Sequence, residues 1–265
     1  MIMKLKRTVV VLFSVLLLSL CACRAAQVQE STPPVSAVPE QTPQPSANIA
    51  DETEQQRLEA YQFALEKLSF EHIWADGTDS GFDASFGFIE DNQFALYDVD
   101  GDGTDELIVQ FLTAPVAGQM EVIYGYTPED GLKTELIAYP VLTYYANGMI
   151  KADWSHGSEL AAEGYWPYSI YQYSAESGEY LEIAQVNMWS RERDEVDYKG
   201  DPYPTDIDVE GAGTVFIVER DGVTETISKS EYESWLESLD LSSVLDIPYQ
   251  ALTEQNIKAL QAAAD

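Results

Sequence analysis

Cysteine is nearly absent from this chain of 265 residues: the two it has, Cys21 and Cys23, stand one residue apart. No disulfide can staple anything beyond residue 23, so the remainder must hold together by its hydrophobic core. Histidine is equally scarce, and His72 and His156, with no later cysteine, cannot assemble a zinc site of the usual kind. Cations are few as well: Lys+Arg number 14 against 46 Asp+Glu, a formal net charge of −32. A field of that sign repels nucleic acid and anionic lipid, which removes nucleic acid as a partner, and it attracts cations. The nearest thing to a basic cluster, Arg191 and Arg193, is cancelled by Glu192, Asp194 and Glu195. No repeat of fixed period is present, which disfavours a propeller. There is no Gly-rich phosphate loop, HExxH pair or nucleophile elbow.

What is there begins with Lys4, Lys6 and Arg7 and an apolar run over residues 8–20. The run is short of the roughly 20 residues that span a bilayer, and the order basic, apolar, small is that of a secretory signal. The segment Leu20-Cys21-Ala22-Cys23 resembles the lipobox of bacterial lipoproteins, in which a cysteine after a small residue receives diacylglycerol and becomes the new N-terminus. Cys23 follows Ala22 and fits that position; Cys21 follows Leu20 and fits it less well. The resemblance implies removal of residues 1–22, lipidation of Cys23, and a membrane contacted only through that lipid anchor, with the protein outside the cytoplasmic membrane. Because the leader takes three cations and no acids with it, the mature charge is near −35. Residues 24–50 are rich in Pro, Ser, Thr, Gln and Ala, with Pro33, Pro34, Pro39, Pro43 and Pro45 and no apolar period. Such a stretch cannot bury enough surface to fold, and as a tether it reaches roughly 30 Å. Residues 51–265 are then one extracytoplasmic domain.

Within that domain, Leu58, Tyr61, Leu65 and Leu68 recur at helical spacing, which predicts a helix over residues 51–70. Short β-like runs follow at 94–97, 106–112, 120–126, 132–139, 149–154, 165–173, 180–188 and 214–219. Turn signals at Asp130-Gly131, Asn147-Gly148, Ser177-Gly178 and Asp221-Gly222 sit where hairpins need them. Ser228-Lys229-Ser230-Glu231 is a capping box leading into the apolar stripe Tyr232, Trp235, Leu236 and Leu239. A second short helix is predicted from Thr253, burying Ile257 and Leu260. The fold class expected is α+β: a curved antiparallel meander with an N-terminal helix and C-terminal helices.

One segment carries a chemical signature. Asp98-Val99-Asp100-Gly101-Asp102-Gly103-Thr104-Asp105-Glu106 places carboxylates at loop positions one, three, five and nine, with glycine at position six. Ca2+ takes about six to eight oxygens, and alternate residues of a tight loop can aim oxygens at one point. Asp98, Asp100 and Asp102 would supply side-chain oxygens, Thr104 its backbone carbonyl, and Glu106 a direct or water-bridged contact; Asp105 replaces Glu106 if the register differs. Position twelve is Val109, so the closing glutamate of an EF-hand is missing, and strands flank the loop. The loop therefore resembles the strand-flanked calcium loops of integrin-type and FG-GAP-like repeats. With its preceding helix and the terminal Leu252-Thr253-Glu254-Gln255-Asn256-Ile257, it is similar to a group of poorly characterised Gram-positive bacterial lipoproteins, a resemblance that implies no activity.

Other candidates are weaker. Asp206-Ile207-Asp208-Val209-Glu210 alternates acid with apolar residues and is expected to be the exposed acidic face of a strand. Ser155, His156 and Glu159 sit too close in sequence to converge as a triad. Tyr144, Tyr145, Trp154, Tyr165, Trp166, Tyr168, Tyr171, Tyr173 and Trp189 are concentrated mid-chain, as core residues or as an exposed surface for a cell-wall glycan or a peptide. The expectation is a non-enzymatic surface binding protein with a structural Ca2+. Its rivals are an extracytoplasmic glycan hydrolase using paired carboxylates and an accessory subunit of an envelope complex.

Overall fold

The structure is a computed structural model and describes residues 47–114, 119–154, 167–197 and 199–262. The leader, Cys23, the tether to residue 46, and Ser155, His156, Glu159, Tyr165 and Trp166 lie outside the described residues. Helix α1 (Ala47–Glu66) starts four residues before the apolar stripe suggested and runs on into a π-helical turn (Lys67–Glu71). It buries Leu58, Tyr61, Leu65 and Leu68, the stripe that the spacing picked out.

Eleven strands follow among the described residues, all paired antiparallel, and they divide between two sheets. The first holds β1 (Gln93–Tyr97), β2 (Glu106–Phe111), β3 (Met120–Thr127) and β4 (Gly131–Ala138) in sequence order, with β11 (Gln250–Ala251) on the β1 edge. The second holds β5 (Val141–Tyr144), β6 (Met149–Asp153), β7 (Tyr168–Ser174), β8 (Glu179–Ser190), β9 (Thr214–Arg220) and β10 (Val223–Ser228), again as a meander. The α+β class is the one expected. The sequence pattern does not predict strands β5, β10 and β11. β5 and β11 are very short, and β10 is an edge strand whose Val223, Thr224 and Glu225 are exposed.

Helix α2 (Lys229–Ser238) opens on Ser228, whose hydroxyl accepts the Glu231 N–H while the Glu231 carboxylate accepts the Ser228 N–H, a reciprocal cap. Helix α3 (Glu254–Ala262) starts one residue after Thr253, whose hydroxyl accepts from the Asn256 N–H.

Three apolar clusters explain the stacking. The side chains of Phe94, Leu107, Val109, Val122 and Tyr124 pack with α1 and α3 through Tyr61, Leu65, Ile257 and Leu260. Their neighbours Ile108 and Ile123 point the other way, as strand alternation requires, and pack with Leu142, Tyr144, Ile150 and Tyr180 of the second sheet. Both faces of the first sheet are therefore covered. That is why Leu107, Ile108 and Val109 are all buried in succession, a run that a half-solvated antiparallel sheet would not carry. On the second sheet Ile170, Val186, Phe216 and Val218 pack with Tyr232, Trp235 and Leu236 of α2, with the Phe216 and Tyr232 rings stacked 3.6 Å apart.

Candidate metal centre

The loop between β1 and β2 is held by its own carboxylates. Asp98 accepts the Gly101 N–H on one oxygen (2.8 Å) and the Gly103 N–H on the other (3.0 Å). Asp100 accepts from the Asp102 N–H and Asp102 from the Thr104 N–H. Gly101 and Gly103 sit at φ +83° and +93°, a backbone region that a side chain strains, so the glycine spacing is conformational in origin. Val99, between the first two aspartates, turns its side chain into the core between the sheets. The exit of the loop is tied down from α1: the Asp105 carbonyl accepts from the Arg57 guanidinium and from the Tyr61 hydroxyl, each at 3.0 Å.

The result is convergence. Asp98, Asp100 and Glu106 each offer an oxygen, and those oxygens lie within 4.8 Å of one another. Asp100 and Glu106 line a pocket of about 230 Å3 together with Asp102 and Thr104, which do not belong to that close trio. Asp105 is exposed, and Glu106 is the acid that turns inward.

Glu106 is only 3% exposed. One oxygen accepts the Val99 N–H at 2.9 Å. Burial, reinforced by the charges of Asp100, Glu135 and Asp102, pushes its pKa up to about 9 despite that bond. Asp100 is also raised, first by burial and then by Asp102 and Asp98.

Sequence reasoning missed a further acid. Glu135, on β4, lines the same pocket, and its Oε2 is shut away from solvent with no hydrogen-bond partner. Burial and the charges of Asp100 and Asp102 push it up to about 7, partly offset by Lys133 and the Tyr173 hydroxyl. The wall opposite belongs to the second sheet: Tyr173, Ala175, Glu176 and Ser177 of the β7–β8 hairpin. Lys133 is engaged with that hairpin, pairing with Glu179 at 3.1 Å and donating to the Ser177 carbonyl. All the oxygen donors are hard, and neither imidazole nor thiolate is present, a set suited to Ca2+ and its like.

The other expectations fare differently. Residues 206–211 form turns and not a strand face, because Asp208 folds back to accept the Ala212 and Gly213 N–H groups at 2.8 and 2.9 Å. Among the described mid-chain aromatics, Tyr144, Tyr145 and Tyr168 are buried in the core, Tyr171, Tyr173 and Trp189 are half-buried, and Trp154 is exposed. A groove of about 770 Å3 lies between α2 and strands β6 and β7, with Tyr145, Tyr168 and Tyr232 in its lining. Lys151 sits in it over the Tyr168 ring and pairs with Asp153 at 2.7 Å.

No protein-family model matches the chain, and no curated protein or solved structure matches it.

Proposed function

We propose that this protein is a membrane-anchored extracytoplasmic lipoprotein, tethered through Cys23, whose domain holds a structural Ca2+ at the β1–β2 loop and acts as a non-enzymatic surface binding protein. The observation that carries the metal is the meeting of Asp98, Asp100 and Glu106 within 4.8 Å. Like charges brought that close raise the free energy of the fold unless a cation or protons offset them. Asp102 and the Thr104 carbonyl, on the rim of the same pocket, would complete the loop's contribution. The pocket of about 230 Å3 is smaller than the usual ligand site, which favours an ion over a sugar ring and weighs against a hydrolytic centre there. The groove beside α2 is of ligand size and is the surface where a binding function has room.

Calorimetric melting with calcium against chelator tests the metal. With the affinity usual for extracellular modules, on the order of 10⁻⁴ to 10⁻³ M, about 10 mM Ca2+ stabilises by roughly 1.4–2.7 kcal/mol, or about 3–10 °C. Asp98→Ala together with Asp102→Ala abolishes the shift, whereas a parent protein that melts at one temperature in both buffers removes the metal from the account. The anchor is tested by fractionation. Cys23→Ala moves the protein from the membrane to the soluble fraction, and a processed Cys23→Ala protein that still pellets with membranes would count against lipidation.

A further inference from the structure

We propose that Glu135 completes the cation's ligand set from a second hairpin, so that one divalent ion ties the β1–β2 loop to the β3–β4 hairpin. The proposal rests on the metal reading above and extends it to a residue far from the loop in sequence. Three observations carry it.

The first is a bulge. Ile123 pairs with Leu136 and Tyr124 with Thr134, which leaves Glu135 as the extra residue of β4. A bulge re-aims the side chain it displaces, and here that side chain reaches the pocket lined by Asp100, Asp102 and Glu106.

The second is the gap it passes through. A Cβ added at Gly125 would lie 2.0 Å from Glu135 Oε1 and 2.7 Å from its Cδ. Gly125 is not among the positive-φ glycines, so its backbone accepts alanine. What the position requires is the missing side chain, and the atoms that need the room are those of Glu135.

The third is a pair of polar groups without a protein partner. Glu135 Oε2 is one. The other is the hydroxyl of Tyr180, a side chain only 6% exposed, whose ring packs edge-on at 5.4 Å against Tyr173 in the pocket wall. Glu135 lies in the wall of the pocket, outside the trio that meets within 4.8 Å, and as a ligand it would bring the carboxylates to four. Ca2+ accommodates such a set within its flexible shell of about six to eight oxygens, whereas Mg2+ usually keeps several waters and takes only about one or two carboxylates.

Calorimetric titration of the full chain with CaCl2 decides the matter. Glu135→Gln, which keeps shape and removes charge, weakens binding at least about tenfold, since ligand charge count sets affinity in such sites. Glu135→Asp weakens it comparably, because it keeps the charge but withdraws the oxygen by one methylene. Gly125→Ala, which displaces the glutamate, does the same, and combining it with Glu135→Gln adds nothing further, as expected for two changes that remove one contact. Glu135→Asp binding like the parent would reduce Glu135 to a distant charge and overturn the proposal. Unchanged affinity in Glu135→Gln would overturn it too, while leaving the loop site intact. A parent protein that binds no calcium is the separate failure, that of the metal reading itself.

Discussion

In the metal-free protein, raising the pH from about 5 to about 9 lowers the melting temperature on the order of 10 °C, and saturating calcium removes most of that slope. The sign follows from Glu106. Its folded pKa of about 9 stands far above the ordinary carboxylate value of 4.5. Between those values the folded chain holds a proton that the unfolded chain has released, so stability declines as pH rises through the window. Glu135, at about 7, adds to the same trend over the lower part of it. At about 1.36 kcal/mol per unit, the loss is on the order of several kcal/mol, and each is worth about 2–4 °C in a domain of this size. The carboxylates held below their usual range, Asp76, Asp83 and Asp208 among them, titrate under the window and leave its slope alone. Calcium requires its ligands ionised, so its stabilisation grows toward pH 9 and its binding releases protons. Glu106→Gln serves as the control: at pH 9 without metal it melts higher than the parent, and it no longer responds to calcium. Metal-free melting that stays level from pH 5 to pH 9 would show that Glu106 is not a buried acid.

The part of the centre that could be read from the sequence is the part encoded by local spacing. Asp98 and Asp100 lie on one loop and Glu106 at its exit, the first residue of β2, and the rule that places alternate oxygens on one side of a bend works without knowledge of the fold. Glu135 obeys no such rule. In Thr134-Glu135-Leu136 it looks like any acid on the wet face of a strand, and only the bulge, set by pairing with β3, turns it inward. The one trace it left was Gly125, a glycine in a strand without a turn around it, which commonly marks a close approach. The fold shows the same division. The helices were legible because Ser228 with Glu231 and the stripe from Leu58 to Leu68 are local signals. The division of the strands between two sheets is a matter of long-range partners. Its only hint is Leu107-Ile108-Val109, three buried residues in a row where an open sheet would alternate. The segment 206–211 misled for a related reason: its acids alternate as in a strand, but Ala212 and Gly213 offer the Asp208 carboxylate two N–H groups within reach, and local capping outcompeted sheet pairing.

Glu121→Ala lowers stability by about 3–5 kcal/mol, which is about 6–20 °C in melting temperature, the largest loss expected from any single acid in the domain. Glu121 is fully buried at the start of β3. Its Oε2 accepts the hydroxyls of Tyr144 and Tyr249, each at 2.8 Å, and its Oε1 accepts the Leu142 N–H at 3.1 Å and the Gln110 amide at 3.2 Å. Those donors come from the first sheet, the second sheet and the segment before β11, so one carboxylate joins three parts of the chain where the two sheets meet. Among the described residues these partners are all neutral, and the cost of burying the polar side chain is offset by four donors rather than by a cation. Truncation therefore leaves two phenols and a backbone N–H without an acceptor and opens a cavity as well. Tyr144→Phe and Tyr249→Phe each remove one donor and cost about 1–2 kcal/mol. Because both phenols share one oxygen, the double variant departs from the sum of the two. Denaturant unfolding of the parent and the four variants measures all of this at once. If Glu121→Ala loses less than either tyrosine variant, the carboxylate is not the hub that joins the sheets, and their junction rests on Ile108, Ile123 and the apolar contacts around them.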